Sequence, residues 1–182
     1  MLLNLLHICQ PVFSDVDNDR DLDLIKNLGS FPIPPFNDVG TYVLFNNGDA
    51  TFTNFYRFPG PTPYMFTVAD LDDNGFLDLY EVDDTQDYIN KITGVTQDQS
   101  LNVQTVPITA SLTQAWGGNV KMEDLDGDGD MDVAVASVDT DEPPCDTSFV
   151  DHGGNGGVRT FILFENQGDA SGNIVHPYDT FE

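Results

Sequence analysis

The sequence predicts an all-β fold made of three repeated, four-stranded antiparallel units. Three observations lead to it. The segments FSDVDNDRDLDLI, TVADLDDNGFLDLY and KMEDLDGDGDMDVAV align, and their first aspartates, Asp15, Asp70 and Asp124, recur at spacings of 55 and 54 residues. Short runs rich in β-branched and aromatic residues flank every copy, too short for helices. No amphipathic helical stretch of useful length occurs. A fixed period in this range marks stacked supersecondary units such as propeller blades. The expected architecture is therefore a partial β-propeller of about three blades, with repeats at 1–60, 61–114 and 115–182.

Each repeat reads in the same order. MLLNLLHICQPVF, YMFTVA and NVKM are strands entering an Asp-rich loop, and LDLI, LDLY and MDVAVA are strands leaving it. A second shared block supplies outer strands: TYVLFNNGDATF resembles TFILFENQGDAS, and both end in an Asn/Gly/Asp turn. The middle repeat lacks a clear copy, and DYINKITG and LNVQTVPIT are its expected outer strands. The third repeat carries a Pro-, Gly- and Asp-rich insertion near DTDEPPCDTSFVDHGGNGG, read as an exposed loop. Phe45, Trp116 and Phe164 are expected in the core or between blades rather than as a sugar platform.

The 182 residues suffice for one domain with a core, and 40% hydrophobic content with 13 Phe is a globular composition. The formal net charge is −25, from 31 acidic and 6 basic residues. Such a field repels nucleic acid and anionic lipid and attracts cations. Asp far outnumbers Glu, and about half the Asp residues fall in the three loops. A merely solubilising surface would use both acids and spread them. No stretch is apolar enough to span a membrane as a helix. The N-terminal run has no basic residue before Arg20, unlike a secretory leader. Cys9 and Cys145 form no CxxC spacing, and no pairing is expected from them.

Counted from the first Asp, side-chain oxygens fall at positions one, three, five and nine: Asp15, Asp17, Asp19 and Asp23; Asp70, Asp72, Asn74 and Asp78; Asp124, Asp126, Asp128 and Asp132. The seventh residue, Asp21, Phe76 or Asp130, offers a backbone carbonyl. Hard oxygen donors in a flexible loop suit Ca²⁺, which takes ~6–8 oxygens. Mg²⁺ wants a stricter octahedron, and zinc prefers the His and Cys that the loops lack. Without a cation, the gathered carboxylates would repel one another. About three calcium ions are expected. An EF-hand is the sharpest rival: DLDDNGFLDLYE fits its pattern, with Gly75 at six and Glu81 at twelve. Lys26 and Val135 break that pattern in the other loops, whose flanks read as strands.

DVDNDRDLDL, DLDDNGFLDL and DLDGDGDMDV, with LFNNGDATF, resemble the FG-GAP/VCBS repeat family, whose loops are similar to those of the integrin α-subunit propeller. The resemblance covers about residues 8 to 180. It implies four-stranded blades in which the Asp loop between the first two strands binds calcium. Arg20 stands where Gly is usual at position six, so the first site is expected to be the weakest. Three blades cannot close a ring of ~4–8, so further blades or self-association are expected to cover open edges.

The expected function is a calcium-stabilised recognition or adhesion module of a secreted or cell-surface protein, with a protein or glycan partner. The resemblance implies the compartment, and loop residues 139–157 are the candidate recognition surface. The alternative is part of a propeller-type polysaccharide-degrading enzyme. No catalytic constellation supports it: His7, His152 and His176 stand in unrelated contexts, and no GxSxG occurs. A purely structural repeat is the third reading.

Overall fold

The computed structural model describes residues 11–28, 39–60, 65–82, 87–108, 119–138, 159–166, 168 and 174–175. Cys9, Cys145, Trp116, the three histidines and the 139–157 insertion lie outside these residues. Twelve strands and no helix are found among the described residues, and thus no helix able to cross a membrane. The strands form three antiparallel sheets. Sheet 1 holds β1 (Val12–Ser14), β2 (Asp23–Leu28), β3 (Gly40–Asn46) and β4 (Phe52–Arg57) in that order. Sheet 2 holds β5 (Met65–Ala69), β6 (Asp78–Val82), β7 (Tyr88–Val95) and β8 (Leu101–Pro107). Sheet 3 holds β9 (Asn119–Glu123), β10 (Asp132–Val138), β11 (Arg159–Asn166) and the two-residue β12 (Ile174–Val175). The outer strands read from DYINKITG and LNVQTVPIT are β7 and β8.

The three Asp loops close their hairpins in one register. Ser14 pairs with Asp23, Ala69 with Asp78 and Glu123 with Asp132. Strands on both sides remove the EF-hand reading. Its twelfth residue, Glu81, lies buried within β6 and accepts hydrogen bonds from Thr41 and Asn90.

Alternation along the strands sends successive side chains to opposite faces and joins the sheets in sequence order. Val16, Ile25, Val43, Phe45 and Phe58 of the first repeat pack with Leu79, Ile92 and Leu101 of the second. Leu71, Tyr80, Val82 and Ile89 of the second pack with Val120, Met122, Val133, Val135 and Phe164 of the third. Tyr80 shows the alternation directly, since its neighbour Leu79 belongs to the other cluster. Phe45 and Phe164 are thus the expected buried aromatics. The Thr41–Glu81 bond adds a buried polar tie between sheets 1 and 2. The first strands converge: β5 packs on β9, and a cavity of about 240 Å³ lies among Val12, residues 65–68 and residues 119–121.

Candidate metal centres

Each loop is built by its own carboxylates. The first Asp accepts two backbone amides, one per oxygen. In the first loop, Asp19 N and Arg20 N donate to Asp15 at 3.0 and 2.9 Å. Asn74 N and Gly75 N donate to Asp70 at 3.1 and 2.8 Å, and Gly127 N and Gly129 N to Asp124 at 2.7 and 3.1 Å. These bonds curl the chain around the carboxylate. The fifth residue repeats the device: Asp19, Asn74 and Asp128 accept from the amides of residues 21, 76 and 130.

Curling needs left-handed backbone at two positions per loop. The sixth residues, Arg20, Gly75 and Gly129, have φ of 80°, 85° and 104°. The fourth residues, Asn18, Asp73 and Gly127, have φ of 62°, 52° and 83°. Asn, Asp and Gly are the residues that tolerate this region best, which accounts for their use at position four. Arg20 adopts it without that tolerance.

The ninth Asp does a different job. Asp23, Asp78 and Asp132 are buried, and each bridges two backbone segments. One oxygen accepts the amide of the loop's second residue, Val16, Leu71 or Leu125, each at 2.9 Å. The other accepts an amide of the third strand: Asn46 and Asn166 at 2.9 Å, Ile92 at 3.0 Å. The ninth Asp therefore staples the loop to its own sheet.

Three groups of carboxylate oxygens lie mutually within 4.8 Å: Asp15, Asp17 and Asp19; Asp70, Asp72 and Asp78; Asp124, Asp126 and Asp132. Each can hold a metal ion. Asp23 and Asp128 stand outside these tight groups. Asn74 is held beside its group by the Asp70 bond. At the seventh position the side chains of Asp21 and Asp130 turn away to another contact. Their carboxylates meet the glycines of the β3–β4 and β11–β12 turns, where an added Cβ would stand 2.8 Å from Asp21 and 2.3 Å from Asp130. Phe76 packs its ring into the sheet 1–sheet 2 core instead.

The electrostatics show strain that a cation would relieve. Asp17 is raised above the usual carboxylate range, first by desolvation and then by Asp19 and Asp15, against a hydrogen bond from Gln99 that lowers it. Asp23 is raised by desolvation against the Asn46 and Val16 amides. Asp78 is pushed up to about 7, mainly by desolvation, with Asp72 adding repulsion. Asp130 is raised by desolvation, then by Asp128 and by Asp73 of the neighbouring loop. Most telling is an orphaned atom in each of two loops. Asp17 Oδ1 and Asp72 Oδ1 are buried with no hydrogen-bond donor. A buried carboxylate oxygen without a partner is costly, so an oxygen-seeking cation fits this donor set.

Sequence reasoning missed three residues that shape the loops. Asn46 and Asn166 cap the loops by donating to Leu22 O at 3.1 Å and Met131 O at 3.3 Å. The block shared by LFNNGDA and LFENQGDA held that signal. Gln99 donates to Asp17 at 3.0 Å from another sheet, and nothing in its turn marks it. Lys26 and Lys91 are buried on different sheets, Arg57 donates to Val39 O, and Lys121 borders the cavity. No protein-family model matches the chain, and no curated protein matches it.

Proposed function

We propose that this chain is a calcium-binding repeat module, a partial β-propeller of the FG-GAP/VCBS kind, from a secreted or cell-surface protein. Its ions are structural, and its exposed loops serve adhesion or the recognition of a protein or glycan. The observation that carries the metal reading is the pair of buried, donorless oxygens on Asp17 and Asp72, each within a group of converging carboxylates. Calcium rather than magnesium or zinc is favoured by the chemistry of the donors, which are oxygens on curled loops with no His or Cys. The propeller reading is supported by three like sheets joined face to face in chain order, with their first strands converging.

Asp15, Asp17 and Asp19, Asp70, Asp72, Asn74 and Asp78, and Asp124, Asp126 and Asp132 would hold the ions. A bound cation would supply positive charge that cancels the mutual repulsion of these carboxylates. The chain does the rest: the first Asp shapes the loop, the ninth ties it to the third strand, and the left-handed residues reverse its path.

Thermal unfolding of the purified chain in excess calcium, in magnesium and in chelator tests the proposal. At calcium ~100-fold above the dissociation constant, each site adds about 2.7 kcal/mol if only the folded state binds. A large, calcium-specific rise in midpoint is the expected result. Equal midpoints in calcium and chelator would reduce the loops to acidic turns.

A further inference from the structure

We infer that Gln99, a residue of sheet 2, positions Asp17 in the first loop for its cation and so couples the loading of that site to the packing of sheet 2 on sheet 1. The inference rests on the metal reading above.

Gln99 lies in the β7–β8 turn, away from any Asp loop in the sequence. Its backbone takes φ of 59°, a conformation that a non-glycine residue adopts only when its surroundings hold it there. Gln99 N donates to Thr96 O at 3.0 Å, and the turn is closed by Thr96 N to Ser100 O at 2.9 Å. This places the side chain against sheet 1, where both ends of its amide are used. Nε2 donates to Asp17 Oδ2 at 3.0 Å, and Oε1 accepts from Asn54 Nδ2 of β4 at 3.2 Å. Asn54 also donates to Asp98 O at 3.2 Å, pinning the same turn. With a donor on one side and an acceptor on the other, the orientation of the amide is fixed.

The consequence falls on Asp17. One oxygen is satisfied by Gln99, the other is the buried, donorless Oδ1, and the carboxylate converges with those of Asp15 and Asp19. Gln99 thus spares one oxygen for the ion and fixes the plane of the carboxylate. Outer partners that orient a ligand commonly alter metal affinity 10–100-fold when removed. The second loop is seated differently. Its neighbour from sheet 3, Asn166, donates to the backbone oxygen of Leu71 at 2.7 Å and leaves the Asp72 carboxylate untouched. Among the described residues, a side-chain bond from the following repeat to a third-position carboxylate is seen at the first site. By linkage, a ligand that orders Asp17 also favours the docked turn, and the docked turn favours the ligand.

The test is calorimetric titration of the full chain with calcium alone, for the parent protein, Gln99→Gly, Asp15→Asn and the double variant. Glycine suits the backbone at this position, so Gln99→Gly removes the amide and keeps the turn. Loss of about 10-fold in affinity at one site is expected for Gln99→Gly, with no further loss when it is added to Asp15→Asn. Asn54→Ala, an exposed change that frees the other end of the amide, is expected to weaken the same site by less. Unchanged affinities in Gln99→Gly would overturn the inference and leave the metal reading standing. An equal loss in the Asp15→Asn background would also overturn it, because Gln99 would then act on the fold at large. If the parent protein takes up no calcium, the metal reading itself falls.

Discussion

The second and third loops share a motif and the two stapling bonds of the ninth Asp, yet they sit in different surroundings. Leu71, the second residue of its loop, is 3% exposed and packs with sheet 3. Leu125, at the same place in the third loop, is 49% exposed. Asp72 is half-buried with an orphaned oxygen, whereas Asp126 is exposed. Val16 of the first loop, fully buried against sheet 2, behaves like Leu71. The motif therefore sets the curl of the loop, and the sheet that follows sets its burial. For the third loop no following sheet exists among the described residues. The apolar second residue is a plug, and its energetic worth depends on a socket built by a different repeat.

The largest expected effect breaks the comparison most directly. Leu71→Ala should cost about 2–5 kcal/mol, because it opens a cavity between sheets 2 and 3. Leu125→Ala should stay within about 0.5 kcal/mol, as exposed changes do. Denaturant unfolding of both variants checks this, and equal losses would show that burial does not separate the two loops.

Acidity comes next. The folded-state pKa of Asp78 is raised from 3.8 to about 7. A raised carboxylate favours the protonated fold, so its contribution is fully present below about pH 4 and is lost as pH rises through about 7. The metal-free chain should therefore lose stability between those limits. Asp78→Asn should flatten that interval in thermal scans made in chelator. Calcium should reverse the trend near neutrality, since the ion takes the place of the proton.

A smaller effect separates the third-position carboxylates. Asp72→Ala should weaken calcium binding at its loop by about 10-fold or more, a loss of about 1.4 kcal/mol. Asp126→Ala, in the open loop, should lose less. Calorimetric titration of each variant compares them, and a larger loss from Asp126 would invert the contrast.

The smallest effect is local and independent of neighbours. Arg20 has φ of 80° where the other loops carry Gly75 and Gly129. Arg20→Gly should stabilise the metal-free chain by about 0.5–1 kcal/mol, read as a higher unfolding midpoint. No gain would mean that the arginine side chain makes a compensating contact with the surrounding carboxylates.

Much of the site could be read from residue order alone. Carboxylates at positions one and three converge in every loop, because a curled loop brings alternate side chains to one side; position five joins them in the first loop and position nine in the other two. The strain at position six was readable as well, through the contrast of Arg20 with two glycines. The left-handed fourth position was visible only as a choice among Asn, Asp and Gly, which many turns share. The dual bonding of Asp23, Asp78 and Asp132 was hidden, since it needs an amide from a strand far along the chain. Glu81 shows how spacing taken alone would mislead. Its spacing fits a metal ligand, but strand alternation sends it into the contact between sheets, where Thr41 and Asn90 bond it.

What the sequence by itself determined is local: the hairpin loops, their curl, their converging oxygens and the strands on either side. Each follows from residue types a few positions apart, where backbone geometry leaves little choice. What only the tertiary structure decided is which loop is covered and by what. Gln99 reaches Asp17 across 82 positions, and Asn166 reaches Leu71 across 95. Such contacts depend on how one sheet packs on the next, and that packing is fixed by the summed burial of many apolar side chains rather than by any motif.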